Sequence, residues 1–97
     1  MKRNNTEDDG WTDFLKLCTS VKDPEKLDSF FALFSTIEER RTLASRYLII
    51  KALVEECLTQ REIAEKFRVS IAQITRGSNA LKIINPKLRK FLKQKMK

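Results

Sequence analysis

The sequence predicts an all-α protein, and two patterns support that prediction. Apolar residues recur three and four residues apart in one segment after another, and no segment shows the alternation typical of a β-strand. Several of these segments follow a residue that commonly caps a helix N-terminus. We therefore expect six helices, with both their starts and their buried faces marked in the sequence.

Aromatic stripes mark the first two helices. The polar residues 1–10 are expected to form a flexible arm, and the domain proper to span residues 11–97. Pro24, with Asp23 as its cap, suits the first turn of the second helix. The two stripes consist of Trp11, Phe14, Cys18 and Val21, and of Leu27, Phe30, Phe31 and Phe34. Trp11, the single tryptophan, is expected to anchor a dimer core.

A long third helix is predicted over about residues 37–56. The run from Thr36 to Glu39 matches a capping box, in which two side chains satisfy free backbone N–H groups reciprocally. The second half of this helix is apolar over most of its circumference, which is typical of a central helix. A 97-residue chain has difficulty covering such a helix alone, so we expect an intertwined homodimer.

Two short capped helices follow and predict a helix-turn-helix at about residues 60–83. Thr59 to Glu62 and Ser70 to Gln73 match capping boxes, each of which opens a short helix, and only about three residues separate the two helices. Ile71 and Ile74 are expected to fill the junction between these helices. The alternative is an ordinary solvated helix pair in a bundle. In the DNA-binding interpretation, side chains of the second helix read bases or touch thymine methyls, and others position phosphates. The candidates are Ile71, Ala72, Gln73, Thr75 and Asn79 for the duplex, with Gln60, Arg61 and Lys82 for its phosphates.

The charge distribution favours a polyanionic partner. Residues 1–39 carry 5 Lys/Arg against 9 Asp/Glu, whereas residues 40–97 carry 15 against 4. The last helix, opened by Asn85 and Pro86, contributes many of these basic residues. A solvated basic surface is the simpler explanation of charge alone, and a nonspecific nucleic-acid-binding domain is a second one.

Several classes of function find no support in the residues. The chain has no His, no CxxC spacing and no phosphate-cradling Gly-rich loop, so neither an enzyme, a metal site nor a cofactor site is expected. Cys18 and Cys57 fit reduced, partly buried thiols. No apolar signal region or membrane span is visible, which predicts a cytoplasmic protein without a membrane partner.

The stretch "ITRGSNALK", residues 74–82, places a glycine inside a predicted helix, where Gly costs about 1 kcal/mol relative to Ala. Gly77 allows another group to approach the backbone, and that group is either a ligand or a neighbouring helix. Arg76 beside it has a planar guanidinium, which stacks on rings and pairs with carboxylates. For Arg46, in the central helix, simple solvation is the plainer expectation.

Residues 45–82, "SRYLIIKALVEECLTQREIAEKFRVSIAQITRGSNALK", resemble the tryptophan repressor family, and "ITRGSN" is the most specific part of the match. Weaker similarity at "GWTDFL" and "FSTIEER" extends the resemblance over about residues 10–95. The resemblance implies a six-helix chain intertwined with its twin. It also implies a homodimer that binds operator DNA when L-tryptophan is bound and thereby regulates tryptophan biosynthesis genes. A ligand-independent helix-turn-helix protein is the alternative.

The same resemblance implies a set of ligand-binding residues. Arg46 and Arg76 match the two arginines that hold the indole, and Thr36 and Arg76 match the groups that take the carboxylate. Gly77 matches the glycine of the pocket. Leu33 and Ser35 lie on the segment whose carbonyls receive the ammonium group. Two positions depart from the family: Ala80 stands where a hydroxyl residue is common, and Ser35 where an apolar residue is frequent.

Overall fold

The computed structural model describes residues 7–96, and within them it contains six helices and no strand. The helices are α1 (Glu7–Ser20), α2 (Pro24–Phe34), α3 (Ile37–Glu55), α4 (Gln60–Phe67), α5 (Ile71–Ile83) and α6 (Pro86–Met96). The prediction of an all-α chain with six helices is confirmed. The chain divides into two compact units, one ending at Ile37 and the other beginning at Glu38.

Local capping explains where most helices begin. The Asp23 carboxylate accepts the Glu25 N–H at 3.1 Å, and Pro24 occupies the first helical position of α2. Thr59 opens α4 with the predicted reciprocal box: its hydroxyl accepts the Glu62 N–H at 3.1 Å, and the Glu62 carboxylate accepts the Thr59 N–H at 2.8 Å. The Asn85 side chain likewise accepts the Leu88 N–H at 2.8 Å and caps α6.

The first helix begins earlier than predicted. The expectation placed residues 1–10 in a flexible arm, but α1 begins at Glu7, so residues 7–10 form its first turn. Three acidic residues lie in that turn, Glu7, Asp8 and Asp9, and negative charge there is favoured by the partial positive charge of a helix N-terminus. The remainder of the predicted arm, residues 1–6, lies outside the described residues.

An aromatic cluster joins the two helices of the first unit. The Phe14 ring of α1 stacks on Phe30 of α2 with a centroid distance of 5.4 Å, and it meets Phe34 edge-on at the same distance. Trp11 stacks on Phe14 at 5.7 Å. No described residue of α1 or α2 is fully buried, and Trp11 is 61% exposed. The predicted stripes therefore meet, yet the cluster stays largely open to solvent.

The second unit contains a core of buried apolar side chains. Ile49 and Ala52 of α3, Ile63 of α4 and Ile74 of α5 form one buried cluster, in which Ile63 and Ile74 are 0% exposed. The partly buried side chains around it include Leu53, Leu58, Ala64, Phe67 and Val69. The short helices α4 and α5 thus pack on the apolar second half of α3, as its residue pattern predicts.

Two expectations about side-chain burial are corrected. Cys57 was expected to be a partly buried core thiol, but it is exposed, since it follows the end of α3 in the loop before α4; Cys18 is half-buried, and both thiols are free. Ile71 was expected to fill the junction between α4 and α5, but it is 50% exposed. At the first position of α5, Ile71 precedes the face on which Ile74 enters the core.

No helix in the described part of the chain is both long enough and apolar enough to cross a membrane.

Candidate functional site

A pocket of about 330 Å³ opens between α3 and α5 in the second unit. Helix α3 contributes Thr42, Arg46, Ile49 and Ile50, and α5 contributes Gln73, Arg76, Gly77 and Ala80. A volume of this size suits a small organic ligand, because such sites measure about 300–1,000 Å³. The floor is aliphatic and two guanidinium groups stand among the lining side chains.

The structure brings four of the sequence-predicted ligand residues together at this pocket: Arg46, Arg76, Gly77 and Ala80. Both arginine side chains are exposed, so their positive charges remain hydrated while they border the apolar floor. A planar ring lying between two guanidinium groups would gain about 0.5–2 kcal/mol from each contact. The arrangement therefore suits an aromatic molecule that also carries a negative charge.

Gly77 serves close helix packing. It lies within α5 with an ordinary helical φ, and a Cβ added to it would lie 3.1 Å from Ile49 Cγ2 and 3.5 Å from Ile50 Cδ1. Since Ile49 is only 2% exposed, its side chain has little room to move. Of the two explanations left open by the sequence, a neighbouring helix occupies the space beside Gly77, and the same backbone borders the pocket.

Three other predicted ligand residues lie in the first unit. Leu33 is 77% exposed near the end of α2, and Thr36 immediately precedes α3. The Ser35 hydroxyl and backbone N–H both donate to the Phe31 carbonyl, at 2.5 and 2.9 Å, so Ser35 closes the last turn of α2. These three residues belong to the other unit, and their ligand role stays a prediction.

Helix α5 presents three different faces around its axis. At about 100° per residue, Ile74, Ser78 and Leu81 share the face that packs on the domain, and these are buried or half-buried. The pocket residues Gln73, Arg76, Gly77 and Ala80 share a second face. The third face consists of Ile71, Ala72, Thr75, Asn79 and Lys82, all exposed. One short helix thus borders a core, a pocket and solvent.

The predicted DNA-binding residues are all exposed, and most of them share the solvent face of α5. Gln60 and Arg61 lie apart from that face, in the first turn of α4. Lys82 also borders a groove of about 690 Å³ between the end of α5 and α6, where Arg89, Lys90 and Lys93 add positive charge. The Arg89 guanidinium donates to the Leu81 carbonyl at 2.5 Å and ties the two helices together.

Gln73 differs from the other predicted base-reading residues, because it lies on the pocket face of α5. Its Oε1 accepts the Ser70 N–H at 2.8 Å and completes the capping box of α5. Bidentate pairing with adenine uses both the oxygen and the nitrogen of a glutamine amide. Bidentate pairing of Gln73 with adenine would therefore require the cap to open. Asn79, on the exposed face of α5, is the better-placed amide for that kind of base contact.

Arg68 ends α4 in a backbone conformation that glycine usually adopts. This residue has φ 56° and ψ 48°, in the left-handed region where glycine is usual, and its N–H bonds to the Ala64 carbonyl. The turn therefore keeps the geometry of a glycine-ended helix with an arginine in that position. The two helices and the turn together span residues 60–83, the range predicted for the helix-turn-helix.

Sequence reasoning missed part of the pocket. Thr42, Ile49 and Ile50 line it, and Gln73 does so as well as capping α5. The two isoleucines belong to the apolar second half of α3, which its pattern predicts to be a central helix. Their approach to Gly77 depends on where α3 crosses α5, and the local signal of that crossing is the small residue Gly77 itself.

The fold and pocket define a class of protein: a small all-helical protein in which the second helix of a capped pair borders a ligand-sized pocket on one side and solvent on another. No group of acidic, Cys or His side chains among residues 7–96 has the arrangement of a metal site.

The chain belongs to the Trp repressor family. The family model described as "Trp repressor protein" matches residues 9–96. A Trp operon repressor homolog of Chlamydia caviae is 61% identical over 88 residues, which cover 91% of this chain and 87% of that protein. A Trp operon repressor homolog of Chlamydia trachomatis serovar D is 53% identical over 92 residues, which cover 95% of this chain and 98% of that protein. A Trp operon repressor homolog of Histophilus somni is 36% identical over 86 residues, which cover 89% of this chain and 81% of that protein. The family consists of transcription factors and not of enzymes.

Proposed function

We propose that this chain is a tryptophan-dependent transcriptional repressor, which binds operator DNA as a homodimer when L-tryptophan occupies the pocket between α3 and α5. The observation that carries the proposal is the position of Arg46 and Arg76 at one pocket, on two different helices. The relatives named Trp operon repressor homolog support it, as does family membership. The genes it would control are those of tryptophan biosynthesis.

The proposed ligand matches the chemistry of the pocket. An indole ring offers two faces for guanidinium stacking, and a carboxylate offers acceptors for the Arg76 fork. By family resemblance, Thr36 shares the carboxylate, while the segment of Leu33 and Ser35 receives the ammonium group. Ala80 supplies no hydroxyl at its edge of the pocket, so selectivity among indole amines would rest on the remaining residues.

Ligand binding would act on DNA binding through α5. The pocket face and the exposed face belong to the same helix, so a ligand that fixes α5 against α3 also fixes the exposed side chains. In helix-turn-helix proteins, of which the Trp repressor is a familiar example, the second helix enters the major groove. Binding of the ligand and of DNA must then favour each other by the same factor.

The proposed homodimer is supported by apolar surface that the single chain leaves open. Large hydrophobic side chains are exposed in several helices, among them Trp11 at 61%, Leu43 at 54%, Tyr47 at 49% and Phe91 at 53%. Large exposed apolar surface on a soluble protein commonly marks a site of interaction with another protein surface. A second copy of the chain would cover them.

The test is DNA binding of the purified protein with and without L-tryptophan, in a gel-shift titration with a duplex taken from upstream of tryptophan biosynthesis genes. We expect binding to require the amino acid. Arg76→Ala should abolish the ligand-dependent part and retain the helical dimer, while Arg41→Ala, an exposed arginine on α3 outside the pocket, should behave like the wild type. Equal binding with and without tryptophan would instead establish the ligand-independent alternative.

A further inference from the structure

The Gln73 side chain takes part in the cap of α5 and also lines the pocket. The Gln73 Oε1 accepts the Ser70 backbone N–H at 2.8 Å and lies 3.3 Å from the Ser70 hydroxyl oxygen. The backbone N–H of Gln73 donates to the same hydroxyl oxygen at 3.1 Å. Gln73 also lines the pocket, beside Arg76 and Gly77. The same side chain therefore completes a helix cap and borders a ligand-sized space.

The cap determines which end of the amide remains for a ligand. A backbone N–H can only donate, so the atom that faces Ser70 has to be the amide oxygen. The oxygen and nitrogen of a carboxamide point in different directions from its carbon, and the cap uses Oε1 and not the two N–H groups of Nε2. Gln73 can therefore offer the pocket a donor, and a ligand group that meets it has to be an acceptor.

Arg76 supplies a second donor on the same face. Residues three apart on a helix are neighbours, with Cβ atoms about 5–6 Å apart. A carboxylate has two oxygens with about four acceptor sites, more than a single guanidinium edge occupies. A carboxylate bound by Arg76 would thus have acceptor capacity left for a neutral donor one turn earlier on α5.

We propose that Gln73 is a specificity-determining residue of the pocket, which donates from Nε2 to the carboxylate of the bound ligand beside Arg76 while its Oε1 holds the cap of α5. This inference rests on the proposed function, since it deepens the description of the same pocket. It assigns to Gln73 a ligand contact in place of a base contact. The ligand also gains a link to the first turn of α5, because one side chain joins the carboxylate to Ser70.

The two roles of Gln73 can be separated by substitution. Gln73→Glu retains an acceptor for the cap, since Glu and Gln both complete capping boxes, but it removes the donor and opposes a carboxylate. Gln73→Met removes both the donor and the acceptor at similar size. Ser70→Ala removes the capping hydroxyl and leaves the Gln73 amide intact. The three variants form a matched set around one contact.

Calorimetric titration with L-tryptophan, indole-3-propionate and tryptamine tests the proposal, with thermal unfolding as the measure of the cap. We expect Gln73→Glu to unfold like the wild type but to bind both carboxylate ligands at least about tenfold more weakly. Gln73→Met should bind the same two ligands about threefold or more weakly than the wild type does. Ser70→Ala should unfold at a lower temperature and keep wild-type ligand affinity. Tryptamine, which has no carboxylate, should bind the Gln73 variants no more weakly than it binds the wild type.

Unchanged L-tryptophan affinity in Gln73→Glu and Gln73→Met would overturn the contact, and so would an equal loss for tryptamine. A loss in Ser70→Ala matching that in Gln73→Met would assign the effect to the cap alone and would also overturn it. Failure of the proposed function gives a different result, because the wild type would then show no heat with L-tryptophan even at millimolar concentration.

Discussion

The two units of the chain differ in how completely they bury their apolar side chains. In the second unit Ile49, Ile63 and Ile74 come from three helices and are 2% exposed or less. In the first unit, from residue 7 onward, the helices contain no fully buried residue, although they carry most of the aromatic rings. The second unit thus has a core of its own, whereas the first leaves its aromatic cluster largely exposed, and in the proposed dimer a second copy would cover it.

The largest effect is expected in the core of the second unit. Ile74→Ala should lower the free energy of unfolding by about 2–5 kcal/mol, because it removes apolar volume from a site that cannot refill. Ile71→Ala on the same helix is the matched control; its side chain is 50% exposed and should cost less than about 1 kcal/mol. Urea unfolding followed by circular dichroism, at one protein concentration, measures both. Equal losses would mean that burial does not distinguish the two positions.

The next effect tests whether a second copy covers the first unit. Trp11→Ala removes a large ring that is 61% exposed in the single chain, and we expect the dissociation constant of the dimer to rise at least about tenfold. Sedimentation equilibrium measures the constant, with Thr12→Ala as the neighbouring exposed control. In the wild type without ligand, the emission of this single tryptophan should shift to longer wavelength on dilution. Equal dissociation constants for the two variants would show that Trp11 lies outside the dimer interface.

The two glycines of the chain lie in different units and should respond to alanine with opposite signs. At Gly77 a Cβ would lie 3.1 Å from the buried Ile49 Cγ2, so Gly77→Ala should destabilise by about 1 kcal/mol despite the better helix propensity of alanine. At Gly10, in α1, nothing lies within 4 Å, and Gly10→Ala should stabilise by about 0.5–1 kcal/mol. Thermal unfolding of both variants reads the signs. A stabilised Gly77→Ala protein would show that α3 shifts away readily.

The smallest effect concerns the turn between α4 and α5. Arg68 adopts a left-handed conformation that L-residues adopt at a cost, and glycine adopts it freely. After subtracting the greater flexibility of glycine in the unfolded chain, Arg68→Gly should stabilise by about 0.5–1 kcal/mol. Arg68→Asn, which tolerates the same conformation, should lie between the glycine variant and the wild type. A destabilised glycine variant would assign the Arg68 side chain a contact of its own.

The helices and their starts could be predicted because their signals are local. Asp23, Thr59 and Ser70 each bond to backbone groups two or three residues ahead, so a short window of sequence contains the whole interaction. The start of α1 was missed because the acidic residues before Trp11 resembled a solvated arm and not a charged first turn. In that case the local signal was present and was misinterpreted.

The pocket could be predicted only in part because it depends on a crossing between distant elements. Arg76 was a candidate from its place beside Gly77, but its pairing with Arg46 came from family resemblance, since the two arginines lie thirty positions apart in the chain. Thr42, Ile49 and Ile50 join them only because α3 passes beside Gly77. The exposure of Cys57 and Ile71 has the same origin: each depends on where a helix starts or stops relative to its neighbours.

Because α5 has three different faces, the angular position of each residue around the helix axis matters as much as the composition of the helix. Each residue added or removed inside residues 71–83 turns everything after it by about 100°, which is the width of one face. A single-residue deletion between Ile74 and Asn79 would therefore bring a core residue to the pocket and a pocket residue to the solvent face. Insertions and deletions should be tolerated in the loops on either side of α4 sooner than anywhere within α5.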